Sequence, residues 1–468
     1  MAKEQAPIEH QYIIEPSIGE WRTATLDADD VPRDLHYYAD AGLSFIDAVY
    51  TARVTKVDTA LDMAFLDLGG ERTGMLNVQR AKQLVKGQVG GISDCVHEGQ
   101  KLLVQVLADP SVLEPHKSMP VTAKPRMLGR YVVIETGAPR LHFSKDLPPR
   151  TLKALTERLE PLAVGVSIIV RTGAMDIDAD AIEAEVKWLM SGLKASENIG
   201  LEFSYTPLEQ ALLASPEAGE IVIDNAAVYT DARALTYKRW PDLNDRLTQW
   251  ADKTSAFDSL GIEEEINEAL ADQINLPSGG WISIHETPTL TAIDVNVGSA
   301  MQGRRPQDAI VETNLEAALA VAHHLRFQDM GGLVVVDFIN MSAKGAAGEM
   351  MKLLDKALKT DPVPVQHTGI SAFGLVEFAR KRKGLSLRQR KTISRGVCER
   401  TQSVALDLIR RSERLGLSAD SGKLALSAPS GVLDWLKAHD SMVQQLKTAT
   451  HREVTLVEHT STDVNLVK

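Results

Sequence analysis

The sequence predicts a mixed α/β protein of several subdomains, with a small all-β barrel of OB type in its N-terminal third. Three observations predict this. Short, glycine-punctuated strands crowd residues 47–107. Strands alternate with helices elsewhere, the pattern of layered α/β structure. The chain's 468 residues suffice for about three compact units at roughly 100–200 residues each. With 44% apolar and 24% charged residues, wholesale disorder is excluded.

The first strand runs from Asp47 to about Val57, with Val49, Ala52, Val54 and Val57 among polar neighbours. Ala64 to Gly70 forms a second, closed by a Gly-Gly turn, and Thr73 to Leu76 a short third. Lys101 to Leu107 is the fourth, with alternation read through Leu103, Gln105 and Leu107. Barrels of this kind bind single-stranded nucleic acid by stacking bases on aromatic side chains. Phe65 is the candidate stacker; the alternative is that it is a core residue.

Arg150 to Leu162 reads as a helix, and Val166 to Arg171 as a strand ending in Arg171-Thr172-Gly173. Ala179 to Lys194 is amphipathic, with Ile182, Val186 and Leu189 on one face. Ile221 to Asn225 is a short strand, and Asp252 to Ile274 is mostly helical before the breaker Pro277-Ser278-Gly279-Gly280.

Trp281–Ile284 and Leu290–Val297 read as adjacent strands, followed by a helix over Asp308–Phe327 with Ile310, Leu315, Leu319 and Ala322 at core spacing. Gly332–Ile339 is a near-continuous apolar strand, the kind buried on both faces of a sheet. Strand, helix and strand make a parallel βαβ unit. Each strand carries an aspartate near its C-terminal end, Asp294 and Asp337, where α/β sheets place their sites. Asn296, two residues on, shares the face of Asp294. Two carboxylates on neighbouring strands repel unless a divalent cation lies between them, and hard oxygen donors suit Mg²⁺, with Mn²⁺ a second choice. Alternatively, either aspartate is a capping or hydrogen-bonding group at a strand end.

The formal net charge of −12 is unevenly spread. Residues 380–414 carry twelve Lys/Arg against three acids, so the rest of the chain sums to −21. Such a stretch marks either a polyanion-binding face or a solvated basic helix. No apolar run approaches the roughly 18 residues that span a bilayer. No apolar secretory segment follows Met1, and Cys95 and Cys398 are the only cysteines, so a reducing, cytoplasmic setting is expected and a disulfide framework is not.

Four motifs occur in one order and spacing: Leu276-Pro277-Ser278-Gly279-Gly280, Leu290 to Asn296, Thr313-Asn314-Leu315-Glu316-Ala317-Ala318, and Gly331 to Met341. Together they resemble the catalytic core of the RNase E/G family of bacterial endoribonucleases. The resemblance covers about Asp47 to Arg390. It implies an RNase H-like subdomain from residues 1–46 and 218–270, an S1-type barrel over 47–125, a 5′-sensor region over 126–217, a DNase I-like catalytic subdomain over 271–393, and a small C-terminal α/β domain over 394–468. It also implies Mg²⁺-dependent cleavage of single-stranded RNA to 5′-phosphate and 3′-hydroxyl products, in RNA processing and decay. By resemblance Asp294 and Asp337 are the metal ligands and Asn296 holds Asp294. Arg171 and Thr172 would grip a 5′-monophosphate with backbone help from Gly129 and Val133, and a guanidinium fork suits phosphate oxygens. Phe65, Lys117, Arg380, Lys381 and Arg382 are the expected RNA contacts. A non-catalytic RNA-binding protein of the same fold is the alternative.

Three departures stand out. Cys398 lacks the second cysteine of the family's Cys-Pro-x-Cys link, so no structural zinc is expected and any homodimer would not be bridged by four cysteines. Met75 stands where the family has a second aromatic, and Ala372 where it has an arginine.

Overall fold

Residues 49–122 contain a closed five-stranded barrel. Its strands pair in the order Val49–Asp58, Met63–Gly69, Arg72–Asn77, Met119–Thr122 and Lys101–Val106, and the last pairs back onto the first. The computed structural model describes residues 11–39, 44–109, 117–287, 289–343, 345–381, 384–394, 397–399, 401–419 and 421–467, with backbone alone for 392–394 and 397–399. The chain divides into two compact units. One comprises Met1–Tyr37, Pro216–Asn225 and Gln249–Lys468; the other comprises Tyr38–Ser215 and Ala226–Thr248. Among the described residues no helix is long and apolar enough to cross a membrane.

The second unit holds the barrel, where Ala64, Leu66 and Leu68 point into the core and the residues between them point out. Gly69 and Gly70 have φ of 86° and 58°, which a tight reversal requires and which glycine adopts without a Cβ penalty. The Lys101 strand sits one residue out of the phase its alternation suggests. Leu102, Val104 and Val106 face the core, while Leu103 and Leu107 turn outward. Gln105 is also buried, because its side-chain amide hydrogen-bonds the backbone of Asp47 and Arg126. A separate four-stranded sheet follows in the order Arg140–Phe143, Val166–Val170, Val132–Thr136, Arg126–Leu128. The Ala179–Ser191 helix buries Ile182, Val186 and Leu189, as its spacing indicates.

The first unit contains three sheets of three or more strands. One runs Leu247–Gln249, Glu220–Ile223, Gln11–Glu15, Glu20–Leu26, Pro32–Ala39. The mostly helical stretch expected over 252–274 is two short helices, Ala256–Ser259 and Ile262–Leu270, separated at Gly261, which has φ of 70°. The C-terminal part packs the Thr401–Ser418 helix and two shorter helices on a three-stranded sheet.

The remaining sheet is six-stranded: Ile274–Asn275, Trp281–Glu286, Leu290–Asn296, Gly332–Asp337, Leu375–Arg380, Val365–His367. Leu290–Asn296 and Gly332–Asp337 are parallel neighbours joined through the Pro306–Phe327 helix. One face of the sheet packs on that helix and on Ala346–Leu358. The Gly332–Asp337 strand is therefore buried on one face only, with Val334 and Val336 inside and Leu333 44% exposed. The helix also differs from expectation. Its buried stripe is Ala317, Ala318, Val321, Ala322 and Leu325, and Leu319 faces outward. Alanines let helix and sheet approach closely, and the longer side chains flank the contact.

Candidate active site

The parallel ladder puts Asp294 opposite Asp337, as direct register partners. Neighbouring strands lie about 4.8 Å apart, so the two carboxylates share one rung on the open face of the sheet. Both are exposed and line a cleft of about 430 Å³. Asn296 donates from Nδ2 to Asp294 Oδ2 at 2.7 Å, which fixes that carboxylate and leaves its other oxygen to the cleft. The two aspartates and the asparagine meet as the sequence indicated.

The other motifs hold this arrangement in place. Asn314, fully buried on the Pro306–Phe327 helix, donates to the Ile339 carbonyl at 2.6 Å and accepts from the Ile339 N–H at 3.0 Å. It therefore clamps the chain two residues beyond Asp337. Glu316 accepts from the Ser278 N–H at 3.0 Å. A Cβ on Gly280 would lie 2.7 Å from Thr313 Cγ2 and 2.8 Å from the Asn296 carbonyl, so the backbone approach needs glycine. One loop and one helix thus brace both ends of the carboxylate pair.

The far wall of the cleft is the 370–374 loop, and its Phe373 ring is 89% exposed. Ser371 organises this loop: its N–H donates to the Leu375 carbonyl, and its hydroxyl accepts from the Phe373 and Leu375 N–H groups. A large aromatic held in water on an ordered loop is a stacking surface. Sequence reasoning missed Phe373 because a loop residue has no periodicity to set it apart. Ala372 also lines this wall and offers no charge.

The profile of the Ribonuclease E/G family matches residues 126–383. The chain belongs to the ribonuclease E/G family. It is 26% identical over 461 residues to Ribonuclease G of Escherichia coli strain K12, covering 92% of this chain and 93% of that one. It is 30% identical over 390 residues to Ribonuclease E of Haemophilus influenzae, covering 79% of this chain and 41% of that protein.

In this family member the Arg171-Thr172 pair follows the Val166–Val170 strand, and both side chains are exposed. Arg171 Nη1 donates to the Gly129 carbonyl at 2.9 Å, and Thr172 Oγ1 lies 2.8 Å from Ser144 Oγ. The backbone part of the expectation needs correction. The Gly129 N–H donates to the Val132 carbonyl within its own turn, and Val133 is buried in mid-sheet between Leu128 and Ile169. Gly129 instead orients Arg171 through its carbonyl.

Glu185 is the residue the sequence did not reveal. Fully buried, it accepts from the N–H groups of Arg130, Tyr131 and Val132 and from Trp240 Nε1. A Cβ on Gly129 would sit 2.6 Å from its carboxyl carbon. The Gly129 turn is therefore folded around a carboxylate.

On the barrel, Phe65 is half-buried on the outer surface, so it is not core. It pairs in register with Met75, and Lys56 Nζ lies 5.9 Å from its ring centroid. Lys117 is exposed just before the Met119–Thr122 strand.

Among the described residues of the basic stretch, several cations are already partnered inside the fold. Arg380 is buried and pairs with Asp361 and Asp329, so it does not face a ligand. Arg388 donates to the carbonyls of Ala269 and Ala271, Lys391 pairs with Asp407, and Arg410 with Asp407 and Glu20. Lys381 is exposed, while Arg382 lies outside the described residues. Charge counting could not separate solvated cations from cations already neutralised inside the fold.

Proposed function

We propose that this chain is a Mg²⁺-dependent endoribonuclease that cuts single-stranded RNA to 5′-phosphate and 3′-hydroxyl ends, in cytoplasmic RNA processing and decay. The observation that carries this reading is the exposed, in-register pair Asp294–Asp337 inside a braced cleft. Binding alone needs no such pair, which favours catalysis over the non-catalytic alternative. The donor set fits a hard divalent cation: two carboxylates from adjacent strands, with open space before them for water and a phosphate. Such an ion activates water and stabilises charge on phosphoryl oxygens when bound, and Mn²⁺ would serve as well.

The chain's own groups do the rest. Asp294 and Asp337 hold the ion, and Asn296 keeps Asp294 oriented. Asn314 stops the strand end from drifting. Phe373 stacks a base beside the scissile linkage and sets the RNA's position over the carboxylates. Phe65, Lys56 and Lys117 on the barrel support binding of an unpaired strand, and Arg171 with Thr172 supports recognition of a 5′-monophosphate. Single-strand preference follows because stacking needs unpaired bases.

The test uses an end-labelled single-stranded RNA, with and without Mg²⁺, and the Asp337→Asn variant. Cleavage should require the ion and fall by several orders of magnitude in the variant, while RNA affinity stays within a few-fold. Wild-type turnover from Asp337→Asn would overturn the assignment.

A further inference from the structure

A second cluster of ligating side chains lies outside the cleft, on two helices of the same unit. His323 and His324 are near the C-terminal end of the Pro306–Phe327 helix, and Glu265 is on the Ile262–Leu270 helix. One nitrogen from each imidazole and one Glu265 oxygen all lie within 4.8 Å of one another. His323 Nε2 is 2.8 Å from Glu265 Oε1, and the two imidazole centroids are 4.9 Å apart at 72°. His323 is further held by stacking on Phe327, with centroids 5.5 Å apart.

An independent observation points to a ligand. His324 is 3% exposed, and its Nδ1 has no hydrogen-bond partner among the described residues. Native folds rarely leave a buried imidazole nitrogen unpaired, and an ion bound at this cluster accounts for the one on His324.

We propose that Glu265, His323 and His324 form a zinc site that staples the Ile262–Leu270 helix to the helix backing the catalytic cleft. Two imidazoles and one carboxylate are borderline donors that favour Zn²⁺ over Mg²⁺ or Ca²⁺. Tetrahedral zinc places its ligand atoms roughly 3.3 Å apart, a small adjustment from the spacing present. The fourth position falls to water. The positive charge of Arg388 also reaches His324 and opposes a cation, and the Glu265 carboxylate in the ligand set offsets it. This proposal departs from the expectation of no structural zinc, which was drawn from the cysteines alone; the site needs no cysteine and lies within one chain.

The full-length protein, stripped of metal, is dialysed against Zn²⁺ in the presence of excess Mg²⁺, and its metal content and Tm are measured. It should retain one zinc ion per chain and melt a few degrees higher. Glu265→Gln and His323→Gln, both at partly exposed positions, should each weaken zinc binding by about tenfold or more. Asp337→Asn should keep its zinc. Co²⁺ in place of Zn²⁺ should give the visible bands of a tetrahedral ion, absent from His323→Gln. The proposal fails if no zinc is retained, if both ligand variants hold it as well as the wild type, or if Asp337→Asn loses it.

Discussion

Arg171 is exposed yet already aimed, because its guanidinium donates to the Gly129 carbonyl and keeps further N–H groups for an incoming anion. RNA carrying a 5′-monophosphate should therefore be cut faster than its 5′-hydroxyl counterpart. Charge-assisted bonds of this kind contribute about 1.5–3 kcal/mol each, so the advantage should be about tenfold or more. Arg171→Ala should abolish it and leave the slower rate; equal wild-type rates on both substrates would show that the pocket is unused. Asp224 shows a different effect of environment. Burial pushes its carboxyl up to about 6, with the nearby Asp258 charge adding to the rise and the Ala256 N–H opposing it. A raised folded-state pKa means that folding favours the protonated acid relative to the unfolded chain. Its stabilising effect is present below the ordinary value of 3.8 and is lost as pH rises through about 6. Asp224→Asn, which still offers a carbonyl oxygen to Ala256, should raise Tm above pH 6 and change it little near pH 4. A melting series across that range checks the sign.

At the scale of elements, the Pro306–Phe327 helix supports the active site through its polar residues as much as its apolar face. Asn314→Ala removes both bonds to Ile339 and leaves partly buried backbone groups unpaired, a cost of about 1–3 kcal/mol. The variant should lose stability by that amount in denaturant melts. It should also lose turnover at saturating RNA, because the strand end bearing Asp337 is released; unchanged turnover would mean the clamp is only structural. Much of this element was legible beforehand. The parallel βαβ unit and the position of each aspartate followed from apolar runs and from charged residues interrupting them. What was not legible depended on a partner surface. Leu319 and Ala318 differ in which one faces the sheet, and helical spacing alone favoured the larger residue. Leu103 against Leu102 was the same problem in a strand, where both phases contained apolar residues. Glu185 gave no signal, since nothing local marks a carboxylate that binds a turn some fifty residues away.

At the scale of the whole molecule, described cations of the basic stretch, Arg380, Lys391 and Arg410, are paired with acids inside the fold. Arg380 pairs with Asp361 and Asp329 at a buried site, so Arg380→Ala would strand two carboxylates and cost about 3–5 kcal/mol. The variant should unfold at markedly lower denaturant while its remaining folded fraction binds RNA normally; a selective loss of RNA affinity at unchanged stability would reverse this reading. The strand order has a further consequence, for synthesis on the ribosome. Gln11–Glu15 pairs in parallel with Glu220–Ile223, and the Gln11 and Glu220 side chains that meet there are 209 positions apart. All five strands of the barrel, by contrast, fall between Val49 and Thr122. Contacts so distant form late, because loop closure must precede them. A nascent chain emerging in N-to-C order would therefore finish its barrel while its first strand still lacked a neighbour on one side. The carboxylate cleft, encoded later still, could not assemble until most of the chain had left the exit tunnel.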